Sequence, residues 1–462
     1  MEQSYSENTT VTVVKGNNPE DTVLDGIDKL GGISKYINKD DQVFIKFNLT
    51  LPNGFPTNTN LNTLKAIIQS CNNAGAKKIF LGAFPFDGFT IKAVSDSLGL
   101  KDYFENLGAE FLFLDNSNFF GFGSKKLKAF KKMAFTKVEV NNENFLIPKI
   151  ILNSDKLISV NQINVDPQFH IRLSLYNSFS MIPNNSQKID INLGKGDEKY
   201  KHSLVSKIID VFTIKKPSLI INDLFYILEG AGPLIYKDSR LNKTGIVITG
   251  TDAVAVDCIT LRLLKLDLNH DLLLEAKKRN LGISELPKIK IIGENLESIN
   301  IDLKQCVYNL KDINLRNFSI CEGQICSGCF ERAYHLLNLM KTNMVKDMKY
   351  ISQNNSFIIG ENPTEAENLD NRIIIFGDCA INSTKDSTFR KKVKEYKKKS
   401  KIKINERVLE IPGCPPNIFD SIELLLAFYK KKNLPTLNLL SEINKFYLPQ
   451  KIRKQLKLWE AL

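Results

Sequence analysis

Residues 42–84 read QVFIKFNLTLPNGFPTNTNLNTLKAIIQSCNNAGAKKIFLGAF. The opening run QVFIKFNL is rich in β-branched and aromatic residues and reads as a strand. Leu61, Leu64, Ile67, Ile68 and Cys71 then recur at helical spacing, and Gly75 suits the end of that helix. KKIFLGAF (77–84) is the next strand. Strand, helix and strand make a βαβ unit, and such alternation predicts a mainly parallel sheet.

The alternation continues on both sides. TVTVVKG (10–16), AEFLFLD (109–115), ENFLIPKIILNSDKLISVNQI (143–163), SLIINDLFYI (218–227) and PKIKIIGE (287–294) supply further strands. KHSLVSKIIDVFTIKK (201–216) is helical. KTGIVITGTDAVAVDCITLRLLKL (243–266) reads strand, turn, helix, with Asp252 as N-cap because its carboxylate can accept from the first free amides. Residues 300–320 read as a connector. Beyond it, SFIIGEN (356–362), NRIIIFGD (371–378) and RVLEIPG (407–413) are three short apolar strands, and CSGCFERAYHLLNLMKTNM (326–344) is helical after its first cysteine. The expected fold class is α/β, with mainly parallel sheets and flanking helices in an N-terminal body, residues 1–300. A smaller C-terminal, cysteine-rich α/β domain spans residues 301–435. A basic helix, residues 436–462, docks on the body or makes the contact of a homo-oligomer.

A length of 462 residues suits two or three domains. A 43% hydrophobic and 25% charged composition is that of a soluble globular protein, and no apolar run is long enough for a membrane span. The start, MEQSYSENTT, lacks the basic and apolar regions of a secretory signal, so a cytoplasmic protein is expected. The net charge is +12, with much of the excess in KKVKEYKKKSKIK (391–403). Only Tyr396 interrupts those lysines, which is no stacking platform, so a solvated segment is favoured over a nucleic-acid patch. There is no G-x-G-x-x-G after a strand and no P-loop.

Eight cysteines without a secretory signal point to metal or redox chemistry rather than a disulfide framework. Cys326 and Cys329 form a C-x-x-C step that lets two sulfurs reach one centre. Cys379 and Cys414 each follow a strand, and sites in open α/β sheets form beyond the carboxyl ends of strands. Four thiolates, Cys326, Cys329, Cys379 and Cys414, are therefore expected at one rim, beside the amino end of the helix after Cys329. Cys321 is a spare that can substitute for one ligand. The centre is a 4Fe–4S cluster, a zinc ion or neither. Zinc bound by four cysteines usually takes two C-x-x-C pairs, and here the second pair is split between two strand ends, which favours the wider cluster.

GDCA (377–380) and IPGCPPNIFDSIELL (411–425) resemble the ligand pattern of the small iron–sulfur subunit of respiratory complex I and of nickel–iron hydrogenases. The likeness spans about fifty residues and implies cluster ligation by Cys379 and Cys414, without quinone chemistry. A second resemblance covers about two thirds of the chain. A strand ending in Lys46 and Asn48; then Asp223, Glu229, Gly230, Gly232 and Pro233; then Asp252, Ala255 and Asp257 at a helix start resemble the family of domain of unknown function 362. That family commonly has a K-x-H pair and a later K-N-x-x-G. Here NVDPQFHIRLSLYNSFSMIP (164–183) offers His170 and Asn177 without the lysines, and Arg172 supplies a positive charge instead.

Read physically, these residues outline a polar pocket. Lys46, Asn48, His170 and Glu229 are the catalytic candidates; Arg172, Asp223, Asp252 and Asp257 are candidates for substrate binding. Against this stand ordinary roles: an ion pair of Lys46 with Asp223, and caps or first-turn helix charges for Asp252 and Asp257. His202, His270 and His335 read as surface residues. The function expected is that of an iron–sulfur oxidoreductase acting on a small anionic or carbonyl substrate. The alternatives are a non-catalytic electron carrier or cluster-delivery protein with a redox partner, and a zinc-stabilised binding protein.

Overall fold

The computed structural model describes residues 8–86, 89–115, 134–184, 186–187, 189, 197–343, 354–366, 372–392 and 407–429. Most of the lysine-rich stretch 391–403 and the whole of the expected C-terminal helix lie outside those residues.

Strand β1 (Thr9–Lys15) is followed by helix α1 (Pro19–Lys29), whose cap Asn18 accepts from the Asp21 amide. The βαβ unit is β2 (Gln42–Phe47), α2 (Leu61–Asn73) and β3 (Lys78–Leu81). Leu64, Ile67, Ile68 and Cys71 of α2 are fully buried, as their spacing requires. Strands β4 (Glu110–Phe111), β5 (Lys156–Gln162), β6 (Leu219–Asp223), β7 (Ile246–Gly250) and β8 (Ile289–Gly293) complete one sheet of eight, in the order β8-β1-β7-β6-β5-β2-β3-β4. Only β7 runs against its neighbours β1 and β6; the other pairings are parallel. Helix α3 (Asp197–Ile214) precedes β6, and α4 (Ala253–Leu263) follows β7.

A second, wholly parallel sheet runs in chain order: β9 (Phe318–Glu322), β10 (Asn355–Ile359), β11 (Arg372–Phe376) and β12 (Val408–Ile411). Helix α5 (Ser327–Asn343) follows β9, the short α6 (Asp378–Ser383) follows β11, and α7 (Ile418–Phe428) follows β12. The connector expected over 300–320 ends early, because β9 is already paired at Phe318. One face of this sheet, with Phe357, Ile359, Ile374 and Phe376, shares a continuous apolar core with the body. The other face, with Ile358, Ile373 and Ile375, packs against Ala380 and Phe389. Among the described residues, no helix is long and apolar enough to cross a membrane.

Candidate functional site

The carboxyl ends of β2, β3 and β5 meet the carboxyl end of β12 and the start of α5 around a cleft of about 430 Å³. Its wall is drawn from Asn48 after β2, Phe84 and Phe86 after β3, Arg172 and Tyr176 after β5, Glu331 and Arg332 on α5, and the turn Pro412–Asn417. The two parallel sheets thus open onto one space, which is where such sheets place ligands.

The wall segment Ser174–Asn177 is held from below by two buried charges. Asp257 accepts from the Ser174 amide at 2.9 Å, the Leu175 amide at 3.0 Å and Asn222 Nδ2 at 3.0 Å. Lys46 donates through Nζ to Asn177 Oδ1 at 2.7 Å and to the Phe47 carbonyl at 2.8 Å. A hydrogen-bonded chain through Ser159, Asn161 and Asn222 joins Asn177 to Asp257. Neither charge has an ion-pair partner among the described residues. Burial therefore holds the Lys46 amine well below its ordinary value and pushes Asp257 up to about 6 despite its three donors. The ion pair of Lys46 with Asp223 is not formed: Asp223 accepts instead from Thr63 Oγ1 and the Phe225 amide.

Arg172 crosses from the body to the second sheet's helix. Its Nε donates to Asp166 at 2.6 Å, its guanidinium lies 3.7 Å from Glu331, and it stacks 4.9 Å over the Tyr176 ring. Burial opposes its charge, but Tyr176, Asp166 and Glu331 outweigh it and raise its pKa. Glu331 is pushed up by burial, but Arg332, His335 and Arg172 bring it down to about 2, so it is ionised. His335 is fully buried, 3.7 Å from Glu331 through Nε2 and 2.6 Å from the Tyr236 hydroxyl through Nδ1. His270 is buried as well and bonds the Phe169 carbonyl; neither is the surface residue expected.

The four cysteines lie beyond the carboxyl ends of β9, β11 and β12. The Cys329 amide donates to Cys326 Sγ at 3.5 Å. The Cys329 thiol is held well above its ordinary value by the hydrogen bond with Cys326, by burial, and by the charges of Cys326, Cys414 and Cys379. Cys414 is pushed up to about 11 by burial and then by Cys379 and Cys326. The two turns are stapled together, Asp378 N to the Gly413 carbonyl at 3.0 Å and Gly413 N to Asp378 Oδ1 at 2.9 Å. Gly377 has φ +91°, and a Cβ there would lie 3.3 Å from Cys329 Sγ, so the strand end must be glycine. The amino ends of α5 and α7 adjoin these thiols and favour negative charge. The thiols are neighbours, yet among the described residues no three or more His, Cys, Asp or Glu side chains form a group that would hold a metal ion. Cys321 lies within strand β9, on the face of the sheet away from the body, packed among Ile358, Ala380 and Phe389.

Residues 43–262 match the family model described as Domain of unknown function (DUF362). None of the curated proteins searched matches the chain. The family match runs from β2 into α4, so it contains Lys46, Asn48, Arg172, Asp223, Glu229, Asp252 and Asp257 but none of the four cysteines.

Within the matched segment the sequence candidates separate. Asn48 and Arg172 line the cleft; Lys46 and Asp257 stand behind its wall. Glu229 is fully buried away from it, bound by Arg240 and by Asn242 Nδ2 at 3.1 Å, and braces the hairpin Tyr226–Glu229/Arg240–Lys243. Asp252 caps α4 through the Val254 and Ala255 amides and ties down the Ile283 amide at 2.8 Å. His170, at φ +62°, is exposed, bonds the Tyr308 hydroxyl at 2.7 Å and does not line the cleft. Sequence reading missed Asp166, Tyr176, Glu331 and Arg332. One signal was available: Glu331 and His335 are four apart on the helix that carries the C-x-x-C step, which sets both on one face.

Proposed function

We propose that the chain is a 4Fe–4S protein whose cluster is held by Cys326, Cys329, Cys379 and Cys414 at the side of a substrate cleft, and that it is an iron–sulfur oxidoreductase acting on a small carbonyl or anionic substrate. One observation carries the reading: Cys414 belongs to the wall of the same cleft as Asn48, Arg172 and Glu331. The reading is supported by the chemistry of the donors: four thiols lie beyond neighbouring strand ends beside the amino ends of two helices, and the thiols around Cys329 and Cys414 raise the pKa of both, where an iron centre would favour thiolate. When bound, the cluster supplies one-electron transfer, or Lewis acidity at an iron left open. The chain's own part is to bind and orient. Asn48 and Tyr176 present polar groups to the substrate, the Arg172–Glu331–Arg332 array fixes the wall, and the Pro412–Asn417 turn excludes water from the thiol side.

A non-catalytic carrier is the second reading, supported by the partial exposure of Cys326, Cys379 and Cys414, which leaves the thiol loops open to a partner protein. Anaerobic purification with a visible spectrum and iron and sulfide analysis tests the cluster. The expected result is a coloured protein whose iron falls away in Cys379→Ala and Cys414→Ala. A colourless protein carrying zinc sinks both readings, and a cluster protein with no ligand in the cleft leaves the carrier.

A further inference from the structure

The charged groups of the cleft answer one another. Arg172 faces Asp166 and Glu331, Arg332 lies 3.9 Å from Glu331, and Asp420 adds a further carboxylate to the wall. Lys46 is withheld behind Asn177, 1% exposed. Among the described residues, two guanidinium groups thus stand against three carboxylates, and these side chains present no surplus cation to an anion.

The neutral donors are in a different state. Gln168 Nε2 is buried on the cleft wall without a hydrogen-bond partner among the described residues. Asn48 engages its Oδ1 with the Gln162 amide at 2.8 Å, while its Nδ2 meets no acceptor among the described residues. The Tyr176 hydroxyl has none there either, and burial pushes it up to about 12, so it remains a donor at neutral pH. Gln168 Nε2 is the buried donor of the three, while Asn48 and Tyr176 are only partly buried on the cleft wall; a buried donor without an acceptor calls for a partner that supplies one. The same wall also carries the ring side chains of Phe84, Phe86, Phe179, Pro415 and Pro416, which offer an apolar surface beside the donors.

We infer that the cleft takes a neutral, planar carbonyl compound, such as a carboxamide or ketone on an apolar body, whose oxygen atoms accept from Gln168, Asn48 and Tyr176. This narrows the substrate class of the function proposed above; it rests on that reading's placing of the substrate in the cleft and is independent of the cluster.

Benzamide and benzoate have nearly the same shape and differ in charge, so the pair tests the inference directly. Each is titrated by ligand-observed NMR into the anaerobically purified full chain and its Gln168→Leu and Tyr176→Phe variants, with circular dichroism confirming that the variants fold. Benzamide is expected to bind about 10-fold more tightly than benzoate, and each substitution to weaken benzamide about 5- to 10-fold with little effect on benzoate. Tighter or equal benzoate binding, binding of neither compound, or folded variants that bind benzamide unchanged would overturn the inference. A colourless preparation that still prefers benzamide removes the cluster and keeps the carbonyl site; an iron-loaded preparation that prefers benzoate does the reverse.

Discussion

Replacing Asp223 by asparagine should make the protein more stable, and more so as pH rises. Asp223 is 1% exposed, and among the described residues its carboxylate accepts from Thr63 Oγ1 at 2.6 Å and the Phe225 amide at 2.9 Å. No cation pairs with it among the described residues, and burial raises its pKa from 3.8 to about 6. Because the folded value lies above the unfolded one, folding favours the protonated acid. Below about pH 4 both states hold the proton. Between about 4 and 6 only the folded state does, so this residue's contribution to stability falls as pH rises. Above about 6 the full cost of the buried charge is present. Roughly two pH units at about 1.4 kcal/mol each make that cost about 3 kcal/mol. An asparagine keeps both contacts, since Oδ1 still accepts from Phe225 and the Thr63 hydroxyl can rotate to accept from Nδ2. Urea unfolding of the two proteins should therefore show Asp223→Asn ahead by about 1 kcal/mol at pH 4.5 and about 3 kcal/mol at pH 7.5. A variant that is less stable at pH 7.5, or a gap that does not widen with pH, would refute the reasoning and mean that the carboxylate is compensated in the fold.

The same substitution at Asp257 should have the opposite sign, because whichever way the amide turns its NH2 would confront a donor, the Leu175 amide on one side or the Ser174 amide and Asn222 Nδ2 on the other; the expected loss is about 1–3 kcal/mol in the same unfolding assay. Arg172→Gln leaves Asp166 and Glu331 buried without their shared cation and should cost about 3–5 kcal/mol by chemical denaturation. Asp252→Ala removes the cap of α4 and should lower stability by about 1–2 kcal/mol, with amide exchange quickening first near Val254, Ala255 and Ile283. Iron analysis of Cys321→Ala should match the parent, whereas Cys326→Ala should lose iron; equal loss from both would bring Cys321 back as a ligand.

The parts of the fold legible in the sequence were those with a clean period. The stretch 42–84 alternates one strand, one helical stripe and one strand, and the structure follows it closely. Strand β9 escaped because FSICE is an edge strand with only Cys321 buried, so no apolar run announces it. The carboxyl edges of both sheets were legible as places, and Asn48, Arg172 and Cys414 stand on the wall they define. What the individual polar residues do there was not. Asp252 and Asp257 look alike in TDAVAVDC, yet one caps its own helix and the other reaches 83 residues back to Ser174. Arg172 looked like a free charge because a turn hides its nearby pairing with Asp166 and its other carboxylate, Glu331, lies on a helix of the second sheet. Such roles depend on which backbone amides and counter-charges arrive from elsewhere in the fold, and local pattern does not contain them.

The division of the cleft between the two sheets has a consequence for how the chain is made. Arg172 leaves the ribosome long before Glu331, and the wall is not closed until the turn ending at Asn417 has emerged. At ordinary elongation rates that interval is about 12–50 s. Throughout it the body must keep Asp166, Arg172 and the apolar face awaiting α5 from finding other partners, so a nascent chain stalled near residue 300 should be the species most dependent on chaperones.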